Sequence, residues 1–237
     1  MTNSIHDTAL LLFSHTAQKE ALYKNFSPEH SGNFNKQIAD QLIGRTIKIA
    51  RHTKLPFFLI DEQLQRGSSF GERLTNAMAD VFNKGFQKII VIGNDCPMVS
   101  TAIINKAAVE LQKNDMLLAP TTKGGVYIIG LRKEYFEKNS FEKIGWQTSA
   151  VFENMVQYAR EKNIATCYFQ CKHDINNYAD LVASLPYLSY TDPFRIAITC
   201  LIASFHIFNL DRFLSIFHLY ILSKKSLRGP PYLLIPA

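Results

Sequence analysis

The sequence predicts an α/β fold in which a mostly parallel sheet is covered by helices on both faces. Strand-like and helix-like segments alternate from Thr8 to Pro120 in the order βαβαβαβ. Parallel neighbours need crossover connections, and helices supply them. The chain has 237 residues, of which 47% are hydrophobic and 19% are charged, so it is long and apolar enough to bury a core.

The strand-like runs are short and almost entirely apolar, as buried strands of parallel sheets are. They are TALLLF (8–13), LPFFLID (55–61), KIIVIG (88–93) and DMLLAP (115–120). Between them, apolar residues recur at helical spacing in residues 33–52, 69–85 and 100–113. Ser69 and Glu72 predict a capping box at the start of the second helix, and Gly85 predicts its end.

The segment TTKGGVYIIGL (121–131) interrupts this alternation, because a Gly-Gly turn leads from one strand directly into the next. Strands joined by so short a turn run antiparallel. The sheet is therefore predicted to be mixed, with one antiparallel pair.

The C-terminal part of the chain differs in composition, which predicts a domain at 1–186 and a helical extension at 187–237. The extension is apolar and basic, and its longest uncharged run, Ile196 to Leu210, is too short to span a membrane. We expect two short helices, broken near Asn209, that pack on the sheet or on a second copy of the chain. Contact with a membrane surface is the alternative, since basic residues flank the aromatic ones: Lys224, Lys225 and Arg228.

Charge and cysteine usage narrow the function classes. The net charge of +6 suits an anionic partner, but no run of basic residues is longer than two, which argues against a nucleic-acid groove. The start of the chain lacks a signal-peptide pattern, so a cytoplasmic location is expected. Cys167 and Cys171 are predicted to be core thiols on one strand rather than zinc ligands. No nucleophile motif or phosphate-binding loop is present.

Polar residues follow the third and fourth strands directly, in GNDCP (93–97) and PTTKGG (120–125). Ligands of open α/β sheets bind at the carboxyl ends of the strands. Asp95 is therefore expected at the mouth of a binding site.

Four motifs carry a family resemblance: IGNDCP, LAPTTKGGVYIIGL, WQTSAVFENMV and HDINNYADL, together with GERL at 71–74. In this order and spacing they resemble the uncharacterised GT-A-like transferases of domain of unknown function 2064, some of them called selenodomain-associated. This family is a branch of the nucleotide-diphospho-sugar transferase superfamily. The resemblance extends over roughly residues 8–185.

The resemblance implies a Rossmann-like GT-A fold that binds a nucleotide sugar or a nucleotide through Mg²⁺ or Mn²⁺. Asp95 corresponds to the metal-binding acid, and Asp174 and Asn176 are the other candidate ligands. The implied reaction is glycosyl transfer to an unidentified acceptor, with a diphosphate leaving group. Sugar-phosphate nucleotidyl transfer is one alternative, and a non-catalytic module that binds a ligand or partner is another.

The chain departs from the family pattern at several positions. Lys123 stands where relatives have an acid, Asn176 and Asn177 stand where they have Asp and Thr, and the basic stretch after the first strand is replaced. An amide binds a divalent ion more weakly than a carboxylate does. We therefore expect Lys123 to act beside Asp95 as a catalytic residue, supplying positive charge to a phosphate in place of metal.

Several further residues are candidates for substrate binding, each with a structural alternative. Lys24 could contact phosphate or be a solvated lysine on a helix, and Arg73 could reach an anion or pair with an acid. Trp146 could cover a sugar or base, or pack on the core. Asn94, Gly124 and Gly125 complete the set, the two glycines serving close ligand approach or only a tight turn.

Overall fold

The computed structural model describes residues 7–27 and 31–207 and contains a mixed six-stranded sheet. The strands are β1 (Thr8–Phe13), β2 (Phe57–Ile60), β3 (Lys88–Ile92), β4 (Met116–Pro120), β5 (Val126–Arg132) and β6 (Thr166–Tyr168). Their order across the sheet is β2-β1-β3-β5-β4-β6. The predicted α/β class with a mixed sheet is confirmed.

Strand β5 is antiparallel to both of its neighbours, β3 and β4. The sequence predicted one antiparallel pair, and that count is wrong. The short turn after β4 reverses the chain as expected, but β5 then inserts between β3 and β4 instead of lying at the edge. The other pairs, β1 with β2, β1 with β3 and β4 with β6, are parallel.

Helices cover both faces of the sheet. They are α1 (Ala17–Tyr23), α2 (Gly32–Arg51), α3 (Phe70–Asn83), α4 (Thr101–Glu110), α5 (Lys138–Glu142), α6 (Val151–Glu161) and α7 (Tyr178–Ser184), and residues 193–207 are also helical. Helices α3, α5 and α6 pack on one face, whereas α2 and α4 pack on the other. The Ser69 hydroxyl caps α3 as predicted by accepting a hydrogen bond from the Glu72 amide. The Glu72 carboxylate, however, accepts a hydrogen bond from the backbone amide of Ser68, one residue before the cap.

Strand β1 shows why both faces must be covered. All of its residues are buried, with Leu11 packing into the core under α3 and Leu10 and Leu12 packing into the core under α4. Burying one leucine side chain contributes about 1.5–3 kcal/mol relative to leaving it exposed. A strand of this composition is stable only when helices cover it on both sides.

A third apolar cluster lies on the outer side of α2. Phe34 and Ile38 of α2 pack there against Leu188, Phe194 and Ile198, which follow the predicted domain boundary. The beginning of the predicted extension therefore packs on α2 and not on the sheet.

A bidentate ion pair joins α2 to the same C-terminal segment, because Arg45 Nη1 and Nη2 lie 2.8 and 2.9 Å from the carboxylate oxygens of Asp192. The boundary at residue 186 remains a prediction. The predicted second helix, Lys224, Lys225 and Arg228 lie outside the described residues. In the part of the chain that is described, every helix is too short or too polar to cross a membrane.

The cysteine prediction is wrong in part. Strand β6 ends at Tyr168, so Cys167 and Cys171 do not share one strand. Cys171 is exposed and Cys167 only half-buried, whereas Cys96 is buried. The expected shared core position would have required a strand three residues longer.

Candidate active site

A cavity of about 720 Å³ opens at the edge of the sheet where β1 and β3 end. These strands are parallel neighbours, with Leu12 opposite Ile92, so the residues that follow them emerge side by side. The turn between β4 and β5 reaches the same edge. The volume lies within the usual range of small-molecule sites.

The structure brings nearly all of the predicted site residues to this cavity. Only Gly124 of the predicted set does not line the cavity. The predicted residues that do are Lys24, Arg73, Asn94, Asp95, Lys123, Gly125, Trp146, Asp174 and Asn176. Two distant segments meet because the Ile175 amide donates a hydrogen bond of 2.7 Å to the Asp95 carbonyl. The structure thus brings these residues together, and the role of each remains a prediction.

Two buried polar atoms at the cavity have no partner among the described residues, Asn94 Nδ2 and Asp174 Oδ1. Asn94 is only 6% exposed, and both residues line the cavity. Leaving such an atom unsatisfied costs about 1–3 kcal/mol. Because both residues belong to the cavity lining, a bound water or a ligand is the available source of the missing partners.

Asp95 lies in an ionic network with Lys24 and Glu20. Lys24 Nζ is 3.0 Å from Glu20 Oε1 and 3.6 Å from Asp95 Oδ2. The solvated lysine considered from sequence is not observed, because the Lys24 side chain is only 18% exposed. Burial alone would lower the pKa of Lys24, but the charges of Asp95 and Glu20 outweigh it and raise that pKa.

Glu20 is the buried centre of this network and was not singled out from the sequence. Burial opposes its ionisation, but the hydrogen bond from His15 and the charge of Lys24 lower its pKa to about 2. Its position, four residues before Lys24 in α1, is a common ion-pair spacing.

The lowered pKa of Glu20 makes stability depend on pH. The stabilisation is present above the pKa of about 4.5 in the unfolded chain and is lost as pH falls toward about 2. A shift of this size corresponds to about 3 kcal/mol at neutral pH. We expect the difference in unfolding free energy between the protein and Glu20→Gln, measured with urea, to shrink between pH 5 and about pH 2. A difference that stays constant over this interval would contradict the assignment.

Lys123 and Arg73 are the other two cations at the cavity. Lys123 Nζ is 2.5 Å from Asp180 Oδ2, in the first turn of α7, so its charge is already paired. Arg73 Nη1 is 3.3 Å from the Ser68 carbonyl, and no carboxylate among residues 7–27 and 31–207 pairs with it. Arg73 is thus the cation at this site that is most available to an anion.

The glycines and Trp146 have structural roles at the rim. A Cβ atom at Gly124 would lie 1.8 Å from the Ser149 carbonyl oxygen, so this glycine permits close packing of two loops rather than of a ligand. At Gly125 the nearest atom is Thr121 Oγ1 at 3.0 Å. Trp146 packs against Phe141 of the core and also lines the cavity, so its core packing is observed and its contact with a sugar or base remains a prediction.

The acids at the cavity are suited to a divalent ion that arrives with a phosphate ligand. Three acids line the cavity, Glu20, Asp95 and Asp174, alongside the three cations Lys24, Arg73 and Lys123. No group of three or more metal-ligating His, Cys, Asp or Glu side chains occurs within the described residues. Mg²⁺ commonly uses only one or two carboxylates and completes its shell with substrate phosphates and water. The unpaired Asp174 Oδ1 fits this arrangement.

Cys96, next to Asp95, does not act as a nucleophile in this geometry. Its burial, together with the charge of Asp95, raises the pKa of the thiol to about 12. The thiolate is therefore negligible at neutral pH.

Residues 56–148 match the profile of a family described as "Uncharacterized protein conserved in bacteria (DUF2064)". Comparison with curated proteins gives no match. Among solved structures, a candidate nucleotide-diphospho-sugar transferase from Desulfovibrio desulfuricans G20 superposes with a TM-score of 0.74 at 18% identity. The alignment covers 84% of this chain and 97% of that one, which establishes the common fold.

Two further solved structures align with TM-scores below 0.5. Rv0371c from Mycobacterium tuberculosis H37Rv, in complex with manganese, gives a TM-score of 0.47 at 10% identity, covering 74% of this chain and 96% of that one. A 4-diphosphocytidyl-2C-methyl-D-erythritol synthase from Anaerococcus prevotii gives 0.47 at 8% identity, covering 77% and 97%. These scores are too low to bear on the chemistry of the present chain.

Proposed function

We propose that this chain, whose residues 56–148 match the DUF2064 profile, is a GT-A-like enzyme that transfers a sugar from a nucleotide-activated donor to a hydroxyl group. The main support is the pair of unpartnered buried atoms, Asn94 Nδ2 and Asp174 Oδ1, at a cavity of about 720 Å³. One donor and one acceptor at the carboxyl edge of the sheet suit a ligand rich in both hydroxyl and phosphate oxygens.

The residues at the cavity take complementary roles in this proposal. Asp95 and Asp174 would hold Mg²⁺ or Mn²⁺, with the Asn176 amide oxygen as a weaker third ligand. When bound, such an ion stabilises negative charge on a leaving diphosphate. Lys24 holds the Asp95 carboxylate in position through the contact of 3.6 Å.

Asn94 and Arg73 would contact the donor directly. The Asn94 amide group donates a hydrogen bond to a phosphate or sugar oxygen, and Arg73 adds a charge-assisted contact. The acceptor hydroxyl then attacks the anomeric carbon as the diphosphate leaves, so the protein acts by positioning and electrostatics. Lys123 could contact phosphate only by leaving Asp180, which makes it a secondary candidate.

Thermal unfolding with a panel of nucleotides and nucleotide sugars, with and without Mn²⁺, tests this function. A ligand at about 100 times its Kd adds roughly 2.7 kcal/mol to the folded state. For a domain of this size that corresponds to roughly 5–10 °C in Tm. We expect a metal-dependent shift that Asp95→Ala abolishes.

Asp40→Ala is the matched control, because Asp40 is an exposed acid on α2 that pairs with Lys36 and does not line the cavity. It should keep the full shift. An absence of any shift across the panel would reject the proposal. Release of pyrophosphate from a nucleoside triphosphate and a sugar phosphate would instead identify nucleotidyl transfer.

A further inference from the structure

His15 lines the cavity two residues after the end of β1 and was not selected from the sequence. Its side chain is 26% exposed. The next residue, Thr16, caps α1, and both its backbone amide and its hydroxyl donate to the Glu62 carboxylate at 2.6 Å. The backbone around His15 is therefore held by β1 before it and by the Thr16 to Glu62 hydrogen bonds after it.

The Glu20 carboxylate determines which nitrogen of His15 carries the proton. Glu20 Oε2 is 3.2 Å from His15 Nδ1, and Glu20 is 5% exposed. An ionised carboxylate only accepts hydrogen bonds, so neutral His15 must hold its proton on Nδ1. Nε2 then carries the lone pair, and it makes no hydrogen bond to any residue in the described ranges.

The ring is also held from the side and connected to the expected diphosphate site. The Tyr23 ring stacks on it with centroids 5.4 Å apart and planes 28° apart. Glu20 contacts His15 through one oxygen and Lys24 through the other, and Lys24 faces Asp95. His15 is therefore connected through the side chains of Glu20 and Lys24 to Asp95, the carboxylate proposed to act at the leaving diphosphate.

We propose that His15 is the general base that accepts the proton of the attacking hydroxyl, with Glu20 as its positioning residue. This inference rests on the proposed glycosyl transfer. The hydroxyl oxygen forms a bond to the anomeric carbon, and the bond from that carbon to the phosphate oxygen breaks, with its electron pair leaving on the diphosphate. The hydroxyl proton moves to His15 Nε2.

The charged groups around His15 stabilise the imidazolium that this step forms. Glu20 and Glu62 face it with negative charge from α1 and from the segment after β2. The positive charge of Lys24 opposes this stabilisation of the imidazolium, but Lys24 is itself paired with Glu20. Tyr23, which stacks on the His15 ring, is the other titratable neighbour. A base oriented by a carboxylate contributes about 100-fold or more to a rate.

The test uses the full chain and water as acceptor, with UDP-glucose, UDP-N-acetylglucosamine, GDP-mannose and dTDP-glucose as probes. Release of nucleoside diphosphate gives kcat, and calorimetry gives Kd. We expect His15→Gln to lower kcat about 100-fold or more while Kd changes less than about twofold. The wild-type rate should rise with pH through one ionisation that is absent in His15→Gln, and free imidazole should partly restore His15→Ala.

His52→Gln is the matched control, since His52 is exposed on the far end of α2 and does not line the cavity. Glu20→Gln should lower kcat and alter the pH profile while Kd is retained. A His15→Gln protein with raised Kd and unchanged kcat would overturn the proposal, and so would binding without release of diphosphate at any pH. Failure of the wild type to bind any probe would instead remove the glycosyl-transfer assignment itself.

Discussion

Gly124→Ala is expected to lower the free energy of unfolding by about 2–5 kcal/mol. The added Cβ would lie 1.8 Å from the Ser149 carbonyl oxygen and 2.7 Å from its carbon, and both atoms belong to backbone that cannot rotate away. Gly124 also has φ of +80°, a conformation that costs a residue with a side chain about 1–2 kcal/mol. Overpacking adds about 1–3 kcal/mol. Urea unfolding of the variant measures the sum.

Gly44→Ala provides the matched control for this substitution. Gly44 lies within α2, and a Cβ there would meet no atom within 4 Å. Alanine is favoured over glycine in a helix by about 1 kcal/mol, so this variant should be unchanged or more stable. Equal destabilisation by the two substitutions would show that the close contact with Ser149 does not exist.

Lys24→Met should destabilise the protein by about 2–4 kcal/mol. Removing one partner of a buried pair leaves the other charge uncompensated, at a cost of about 3–5 kcal/mol, and the partial exposure of Lys24 reduces this figure. Methionine keeps most of the apolar stem, so lost packing contributes little. The measurement is the unfolding free energy at pH 7, with Glu20→Gln and the double variant completing a double-mutant cycle.

In the cycle, Glu20→Gln should recover part of the stability that Lys24→Met loses. Lys19→Met is the control on the same helix, because Lys19 does not line the cavity and lies over the Tyr23 ring. We expect its effect to stay within about 1 kcal/mol. Additive single effects at positions 20 and 24 would contradict the buried ion pair.

Strands β1 to β4 and helices α2 to α4 were predictable because their signals are local, whereas α1 was not. The run TALLLF coincides with β1, and the capping serine before α3 is where the hydroxyl accepts from the backbone. The position of β5 was not predictable in this way. Its apolar residues would suit either an edge or a central strand, and only long-range pairing with β3 decides between them. Strand β6 has three residues and is partly exposed, so it gives almost no pattern.

The candidate site was predictable to the extent that it lies at strand ends. An acid that comes soon after a buried apolar strand is a local signal in the sequence, and Asp95 does line the cavity. The pairing of Lys123 with Asp180 joins residues far apart in sequence, so no spacing could indicate it. Glu20 and His15 were missed because a helix of seven residues gives too little periodicity to show which side is buried. A glutamate four residues before Lys24 was the one available signal.

Helix α2 has the sheet on one side and the C-terminal helical residues 193–207 on the other. The ion pair between Arg45 and Asp192 also joins α2 to the C-terminal segment. Phe194 and Ile198 contribute to the same apolar cluster as Phe34, so the boundary read from composition passes through a shared interior. We therefore expect the segment 187–207 and the α/β layers to unfold together, so that a chain cut at the predicted boundary would expose this apolar cluster.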